Sequence, residues 1–428
     1  MIRIIDSTLQ PDVLKTFLKR TQFDYSDVNE SVESILRAVK KDGDAAVKKY
    51  TKQFDSIKVK ELRVTKAQID AAFERVSDEL INNLKHAAKN IEAFHQQQAP
   101  KDQVMKDTKS IKIIERVRPI DTVGLYVPGG TAAYPSTVLM NAIPAKIAGV
   151  KRIVMITPPG ADGEVLDSLL VAAKVAGVDE IYKVGGAQGV AALTYGTKTI
   201  PKVDKIVGPG NIYVAMAKRM VSGHVGIDMV AGPSEIVILA DETTNPQFAA
   251  ADMLSQAEHD PYASAIVITP SKKIAARIKS EAIEQANQLK RHAIIKQSLE
   301  DNGGIITTET MDEAIQLVNR IAPEHLEILT KDPNAVCNDI SNAGAIFIGP
   351  YTPEPIGDYM AGPNHTLPTS GSARFSSALS ARDFIKTTAI TTYKKPALKE
   401  EAQAIINIAE SEGLSAHANA IRLRLEEE

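Results

Sequence analysis

The sequence has few of the residues that stabilise small secreted folds or stack on nucleic-acid bases. Its 428 residues include one cysteine and no tryptophan, and aromatic residues make up 5%. A single thiol cannot form an internal disulfide, which fits a protein kept in a reducing cytoplasm. The low aromatic content disfavours a base-stacking surface, and the formal net charge of −3 disfavours binding to phosphate backbones. We therefore expect no nucleic-acid partner.

Long apolar runs are also missing from the sequence. No stretch approaches the roughly 18 apolar residues that a membrane-spanning helix needs. The first residues, MIRIIDSTLQ, lack the apolar core of a secretory signal. The sequence therefore predicts a cytoplasmic protein with no membrane partner, and its length is sufficient for two or more domains.

The spacing of apolar residues predicts an α/β fold. Residues 31–50 and 67–95 carry apolar residues every three or four positions, which is typical of amphipathic helices. From Ile120 onward, short apolar runs that end in Gly or Pro alternate with helical stretches, as in parallel sheets. These runs are residues 153–156, 181–184, 205–207, 236–239, 265–268, 305–306 and 345–348. We expect two Rossmann-like parallel-sheet domains with helical N- and C-terminal extensions.

The change in pattern near residues 120 and 231 predicts that one domain is inserted into the other. The predicted parts are an N-terminal extension at 1–25, a first α/β domain at 26–119 and 231–380, an inserted α/β domain at 120–230, and a C-terminal helical tail at 381–428.

Four glycine-rich loops lie within the inserted domain. They are VPGGTAAYPS (127–136), TPPGADG (157–163), GGAQG (185–189) and GPGN (208–211). Glycine lets the backbone approach a ligand, and ligands of open α/β sheets bind beyond the carboxyl ends of strands. None of the loops matches the GxGxxG or Walker A pattern. The loops are therefore as consistent with simple turns as with a cofactor site.

Two polar clusters contain residues suited to metal binding or proton transfer. Gln256 and His259 are three residues apart, so a helix would place them on one face, within reach of one cation. Pro323 is expected to open a helical turn with Glu324 and His325 in its first residues. An adjacent carboxyl group and imidazole can move protons near neutral pH.

Two further clusters lie nearer the C-terminus. The segment 357–377 contains Asp358 and His365 without helical or strand periodicity, and such long irregular segments are usually functional. Glu412 and His417 flank a predicted helix start at Ser415, a pattern that an ordinary capped helix also explains. An Asp carboxylate, two His imidazoles and a Gln carbonyl oxygen suit Zn²⁺, but spacing alone does not show that the clusters meet. Cys337 has no His near it in sequence and is interpreted as structural.

Five of these segments together resemble the histidinol dehydrogenase family. They are IDMVAGPSEIVILAD (227–241), SQAEHD, APEHLE, GDYMAGPNHTLPTSGSARFSS and EGLSAHA, and with the loop residues they extend in family order from about Tyr126 to His417. The resemblance implies oxidation of L-histidinol to L-histidine through L-histidinaldehyde, with consumption of two NAD⁺. It also implies a homodimer with one Zn²⁺ per active site, shared between subunits.

The resemblance also assigns roles to residues. The implied metal ligands are Gln256, His259, Asp358 and His417, the last from the partner subunit. The implied catalytic pair is Glu324 and His325. The implied substrate contacts are Ser234, Gln256, His259, His325, Asp358, His365, Glu412 and His417. The implied NAD⁺ contacts are Tyr126, Gln188 and Asn211. The inserted domain would then bind NAD⁺, the first domain would bind metal and substrate, and the tail would reach the partner.

Two alternatives are considered beside this hypothesis. A metal-dependent hydrolase would use the same polar residues to activate water, but it would leave the glycine-rich loops without a role. A non-catalytic nucleotide-binding module would explain the α/β pattern but not the polar clusters.

Overall fold

The computed structural model of the chain describes residues 2–18, 26–129 and 134–426. The chain forms two compact units. The larger unit contains Met1–Gln98 and Ile120–Phe384, and the smaller contains Ala99–Pro119 and Ile385–Glu428.

Helices and strands alternate along most of the chain. The strands are β1 (Arg3–Asp6), β2 (Gln103–Asp107), β3 (Ile111–Pro119), β4 (Thr122–Tyr126), β5 (Arg152–Thr157), β6 (Glu180–Lys183), β7 (Lys205–Val207), β8 (Gly226–Ile227), β9 (Glu235–Ala240), β10 (Ser264–Thr269), β11 (Gly304–Thr307), β12 (His325–Leu329), β13 (Ala345–Ile348) and β14 (Ile385–Tyr393). The helices are α1 (Pro11–Leu18), α2 (Ser26–Asp42), α3 (Asp44–Asp55), α4 (Lys66–Arg75), α5 (Asp78–Gln96), α6 (Pro135–Ala148), α7 (Asp167–Ala176), α8 (Gly186–Tyr195), α9 (Ile212–Val221), α10 (Pro246–Ala257), α11 (Lys272–Ala286), α12 (His292–Asp301), α13 (Met311–Ile321), α14 (Pro333–Asn338), α15 (Glu354–Tyr359), α16 (Lys395–Ser411) and α17 (Ser415–Glu426).

A five-stranded parallel sheet forms one core of the larger unit, in the order β6-β5-β4-β7-β8. Its strands are nearly continuous apolar runs because helices cover both faces. In β5, Ile153 and Met155 pack on one face, and Val154 and Ile156 pack on the other.

Helices from the N-terminal hundred residues cover much of this sheet. Apolar residues of α2 and α3 join those of α8 and α9 in one cluster, and residues of α4 and α5 join those of α6 and α7 in another. Residues 26–119 were predicted to form one domain with residues 231–380. Their helices α2 to α5 instead pack against the five-stranded sheet. The predicted amphipathic helices themselves are confirmed, since α2 buries Val32, Ile35, Leu36 and Val39.

A six-stranded parallel sheet forms the second core of the larger unit, in the order β1-β11-β10-β9-β12-β13. Alternate residues of β9 again pack on opposite faces: Ile236 and Ile238 lie in one apolar cluster, and Val237 and Leu239 in the other. Strand β1 pairs with β11, so residues predicted as an N-terminal extension are part of this sheet. The predicted α/β class with two parallel sheets is confirmed.

The smaller unit contains an antiparallel sheet in the order β14-β3-β2 and a pair of helices, α16 and α17. The helices pack through Ile406, Ala409 and Ala418. The predicted tail is helical from residue 395 onward, but β14 is a strand that the sequence did not predict. Among the described residues, no helix is long and apolar enough to cross a membrane.

Candidate functional site

The predicted acid–base pair lies where strand β12 begins. Glu324 precedes the strand and His325 is its first residue. The prediction that Pro323 opens a helical turn is therefore wrong. Helix α13 ends at Ile321, Ala322 has a left-handed φ of 52°, and the following HLEIL run is buried between β9 and β13. A short buried run beside two strands satisfies its backbone groups by pairing with them, which overrides a local helical tendency.

The backbone of Glu235, the first residue of β9, holds both side chains. Its N–H donates to Glu324 Oε2 at 2.9 Å, and its carbonyl oxygen lies 3.1 Å from His325 Nδ1. Because a carbonyl oxygen only accepts hydrogen bonds, Nδ1 carries the hydrogen and the lone pair of the neutral ring is at Nε2. Within the described residues, His325 Nε2 has no hydrogen-bond partner. His325 is therefore oriented to accept a proton at Nε2.

Burial controls the charge of this pair. Burial lowers the pKa of His325 to about 4, although the negative charge of Asp358 acts in the opposite direction. Burial raises the pKa of Glu324 well above its usual range, although the N–H of Glu235 favours the ionised carboxylate. Glu324 Oε2 lies 3.7 Å from His325 Nδ1. A neutral imidazole beside a carboxyl group with a raised pKa suits proton transfer near pH 7.

Helix α15 brings two carboxyl groups to His325. Glu354 and Asp358 are one helical turn apart, and Glu354 Oε1 lies 3.8 Å from His325 Nε2. Asp358 Oδ1 lies 3.2 Å from His365 Nδ1. His325, Glu354 and Asp358 each offer an atom that can bind a cation, and these three atoms lie within 4.8 Å of one another. The structure thus brings together residues from two of the predicted polar clusters.

The two carboxyl groups of α15 differ in charge. Burial, followed by the nearby Asp358, raises the pKa of Glu354 to about 9. Burial also acts to raise the pKa of Asp358, but the hydrogen bond and charge of His365 outweigh it and lower that pKa to about 2. Asp358 is therefore the ionised member of the pair, and the ionised carboxylate is the form that binds metal.

The segment 357–377 is less irregular at its start than predicted. Its first three residues complete α15, so Asp358 lies on a helix, and the remainder contains only one short 3-10 turn, Ser372–Arg374. Glu354 was not identified from the sequence. The signal was present, because two acids four residues apart share a helix face.

Gln256 and His259 lie at the end of α10. The helix ends at Ala257, earlier than predicted, and the N–H of His259 donates to the carbonyl oxygen of Gln256 at 3.3 Å, which keeps the two residues together. Gln256 is buried, and in the described part of the chain its Oε1 has no hydrogen-bond partner. Burial lowers the pKa of His259, and the negative charge of Asp358 opposes this shift.

These donors fit a divalent metal of intermediate hardness. A neutral imidazole, an ionised carboxylate and an amide oxygen are the forms in which His259, Asp358 and Gln256 would bind Zn²⁺. A buried polar atom without a partner costs about 1–3 kcal/mol, and a bound cation would remove that cost at Gln256.

The other predicted substrate and metal residues are Ser234, next to Glu235 in the sequence, and two residues of the smaller unit. Ser234 directly precedes β9, is half-buried, and accepts a hydrogen bond from the N–H of Ser264 at 3.0 Å through its carbonyl oxygen. Glu412 and His417 lie in the smaller unit, exposed at the end of α16 and in the first turn of α17. The predicted helix start at Ser415 is confirmed. Cys337 is partly buried and packs among apolar residues, as expected for a structural thiol.

The acid–base pair lies at the amino ends of the strands in the six-stranded sheet. Glu235 and His325 are the first residues of their strands, and Ser234 directly precedes β9. Ligands of open α/β sheets usually bind at the carboxyl ends, so the fold class alone would not have indicated this edge.

The glycine-rich loops lie at the carboxyl ends of the strands in the five-stranded sheet. Tyr126 ends β4, and the TPPG, GGAQG and GPGN loops follow β5, β6 and β7. Their predicted location at the carboxyl ends of parallel strands is confirmed. Strands β5 and β6 lie on one side of β4, and β7 lies on the other, so the strand order reverses between β4 and β7. Residues 130–133 of the first loop lie outside the described residues.

The three predicted NAD⁺ contacts have different local partners. The hydroxyl of Tyr126 accepts a hydrogen bond from the N–H of Gly186 at 3.0 Å, and burial raises the pKa of Tyr126 to about 12. Gln188 is buried in α8, and within the described residues its Oε1 has no hydrogen-bond partner. Asn211 caps α9 by accepting hydrogen bonds from two N–H groups of the first turn. Gln188 therefore differs from the other two residues, because its buried amide oxygen has no hydrogen-bond partner within the described residues.

Helix α6 connects the two edges. It follows the first glycine-rich loop, and its Thr137 Oγ1 lies 3.4 Å from Nε2 of His365. One residue earlier, Asn364 donates to the carbonyl oxygen of Met140 at 2.5 Å. Burial raises the pKa of Tyr134 at the start of α6, and the negative charge of Asp358 is among the smaller causes. The sequence did not single out Tyr134.

Comparison with known proteins gives one consistent family. The family model for histidinol dehydrogenase matches residues 18–425. The chain is 51% identical to the histidinol dehydrogenase of Clostridium acetobutylicum over 426 residues, 99% of each chain. It is 55% identical to that of Listeria monocytogenes over 403 residues, 94% of each. The crystal structure of the enzyme from Elizabethkingia anophelis superposes with a TM-score of 0.93 at 38% identity, covering 99% of this chain and 98% of that one. The chain belongs to the histidinol dehydrogenase family.

Proposed function

We propose that this protein oxidises L-histidinol to L-histidine in two successive NAD⁺-dependent steps, at a zinc site completed by a second subunit. The observation that carries the proposal is the arrangement around His325. Its imidazole is neutral, and its Nε2 has no hydrogen-bond partner among the described residues and lies 3.8 Å from Glu354 of α15.

The metal and the cofactor each have residues suited to hold them. Gln256, His259 and Asp358 would hold Zn²⁺ together with His417 of the partner subunit. Tyr126, Gln188 and Asn211 would contact NAD⁺ at the reversal point of the five-stranded sheet. Bound zinc would fix the imidazole and amine of the substrate, and bound NAD⁺ would supply the hydride acceptor. His325 and Glu324 are not among these ligands and would act on the substrate.

The first oxidation needs a base at the hydroxyl group. His325 removes the hydroxyl proton at Nε2 as hydride leaves the same carbon, which gives the aldehyde. The Nδ1 hydrogen bond to the carbonyl oxygen of Glu235 keeps the ring in the tautomer that can do this. The raised pKa of Glu354, 3.8 Å from Nε2, keeps that carboxyl group from competing as an anion.

The second oxidation needs a water molecule and the same base. Glu324 in its ionised form takes a proton from water as the hydroxyl adds to the aldehyde carbon, and protonated His325 returns its proton to the aldehyde oxygen, which gives the gem-diol. A raised pKa makes the carboxylate of Glu324 a stronger base. His325 then removes a proton from the resulting gem-diol as the second hydride leaves. Because Glu324 and His325 are held by the backbone of Glu235, one site can perform both steps.

The distribution of predicted residues supports a dimer. Three of the proposed zinc ligands lie in the larger unit, whereas His417 lies in the smaller unit, together with the predicted substrate contact Glu412. The smaller unit also exposes several large apolar side chains that a second copy would cover: Val104, Met105, Ile405, Ile408, Leu414 and Leu423. We place the enzyme in the cytoplasm, which suits its single cysteine and its NAD⁺ chemistry.

The deciding measurement is the stoichiometry of the reaction. L-Histidinol should yield two NADH per L-histidine formed, a chelator should abolish turnover, and added Zn²⁺ should restore it. Release of aldehyde with one NADH per turnover would refute the two-step reaction.

Variants test the roles of the pair. His325→Asn and Glu324→Gln should each lower kcat by about 10²- to 10⁴-fold, the range for loss of a positioned acid or base. His224→Asn, which changes an exposed histidine elsewhere, is the control and should retain full activity. Full activity in His325→Asn would exclude it as the base.

A further inference from the structure

Two opposite charges are buried beneath the GPGN loop. Lys218 of α9 and Asp228, which follows β8, form an ion pair whose side chains are only 2% and 1% exposed. The free energy needed to move both charges out of water cancels much of the attraction between them. A buried ion pair by itself therefore adds little to the stability of a fold. The other contacts of these side chains therefore indicate what the pair does.

Both side chains bind the same glycine. Lys218 Nζ donates to the carbonyl oxygen of Gly208 at 2.9 Å, and Asp228 Oδ2 accepts from the N–H of Gly208 at 2.8 Å. Gly208 has a φ of +111°, which L-residues with side chains rarely adopt. A Cβ atom at Gly208 would lie 2.1 Å from the carbonyl oxygen of Tyr126. The ion pair thus fixes a glycine backbone that is pressed against the end of β4.

The fixed glycine lies at a specific place in the fold. Gly208 begins the loop after β7, and Tyr126 ends β4, so the contact is made where the strand order reverses. The hydroxyl of Tyr126 then accepts a hydrogen bond from Gly186 in the GGAQG loop. A continuous set of contacts therefore runs from Lys218 and Asp228 to two of the loops proposed to bind the cofactor.

We propose that Lys218 and Asp228 are positioning residues for NAD⁺, and that they act by fixing Gly208, and through it Tyr126, at the reversal point of the sheet. This inference rests on the proposed NAD⁺-dependent function. Neither side chain needs to touch the cofactor. The charged pair binds both the N–H and the carbonyl oxygen of Gly208. An apolar pair of the same size would fill the space without fixing the loop.

Removing both charges separates this role from general stability. Asp228→Ala leaves Lys218 buried without its partner and can fail to fold. The double variant Lys218→Met with Asp228→Asn avoids an unpaired charge, and its Asn oxygen can still accept from Gly208, while the donor to the carbonyl oxygen is lost. The matched control is Glu180→Gln at the amino end of β6, where a mostly buried carboxylate is paired with Arg152 away from the loops.

The experiment compares steady-state kinetics and calorimetric binding of NAD⁺ with thermal unfolding. In the double variant the KM and Kd for NAD⁺ should rise by about 10- to 100-fold, as expected for a displaced binding loop. KM for L-histidinol and zinc content should stay as in the wild type. The control should lower Tm and leave KM for NAD⁺ unchanged.

The outcomes separate the inference from the proposed function. A wild-type protein that neither binds nor reduces NAD⁺ overturns both. A folded double variant with a lower Tm and a wild-type KM for NAD⁺ overturns the positioning role alone. A raised KM for NAD⁺ that the Glu180→Gln control shares equally also overturns it, because any loss of stability would then suffice.

Discussion

Mixing two inactive variants should restore about a quarter of the wild-type activity if each active site draws residues from both subunits of a C₂ dimer. The two changes are His325→Asn in the larger unit and His417→Ala in the smaller one. Asn can keep a donor near the carbonyl oxygen of Glu235, so the first variant should fold. His417 is exposed, so the second change should cost little stability.

The expected recovery follows from how the residues are distributed. Random reassortment makes about half of the dimers mixed, and each mixed dimer has one site with both His325 and His417 intact and one with neither. Intact sites are then about one quarter of the total. If each chain supplied its own His417, every site in a mixed dimer would lack one of the two residues, and no activity would return.

The assay needs subunit exchange and a matched control. Two differently tagged variants are expressed together, the whole dimer population is purified, the share of doubly tagged dimers is measured, and NADH formation from L-histidinol is followed. The control pairs His325→Asn with Glu324→Gln, which lie in the same unit, so mixing should restore nothing. Recovery in the control, or no recovery in the test pair despite verified mixed dimers, would refute the shared site.

Three further predictions follow from other parts of the chain. Ending the chain before Glu410 should leave the far-ultraviolet circular dichroism of the larger unit nearly intact but remove bound zinc and activity; zinc retained at full stoichiometry would contradict the dimer-completed site. Gly208→Ala should lower the free energy of unfolding by at least about 2 kcal/mol, since it combines a positive φ with a Cβ placed 2.1 Å from a backbone oxygen of Tyr126, and denaturant unfolding that matches wild type would contradict this. Burial and the neighbouring charge of Asp252 raise the pKa of Glu327 well above its usual range, so the folded pKa exceeds the unfolded one and stability falls as pH rises through the interval between them. Glu327→Gln, which keeps the acceptor for the N–H at the start of α15, should therefore raise Tm relative to wild type at about pH 8 and not at about pH 5, and an equal change at both pH values would argue against this ionisation.

The sequence predicted strands correctly where both faces of the strand are buried. Residues 236–239 and 265–268 were predicted as runs and lie within β9 and β10, in which every residue is buried. Such strands are short apolar runs, and their length favours a strand over a helix. Strand β14 was missed because it is mostly exposed and its sequence, IKTTAITTY, lacks an apolar run. Its Thr, Ile and Tyr residues are nonetheless those favoured in strands.

The chemistry of the site was more predictable than its geometry. The types of residue in each cluster indicated proton transfer and metal binding, but β12 was predicted as a helical turn, because a Pro followed by Glu is typical of a helix start. Strand pairing decides this segment, and its partner β9 begins about ninety residues earlier in the sequence. Pairing across that distance leaves no local signal. For the same reason, the anchoring of Glu324 and His325 by the backbone of Glu235 could not be read from sequence.

The arrangement of the two sheets explains why one site can carry out two oxidations. The proposed base and the candidate metal ligands lie toward the amino edge of one sheet, and the loops proposed to bind the cofactor lie at the carboxyl edge of the other. Contacts of α6 with His365 and Asn364 bring the edges together. In the proposed function the substrate and the hydride acceptor would be held at separate sheets, so the spent cofactor could be exchanged while the residues proposed to bind zinc keep the aldehyde beside His325. A loop fixed by a buried ion pair would then affect cofactor binding without altering the hold on the intermediate, which is the split in KM values expected for the Lys218 and Asp228 variant.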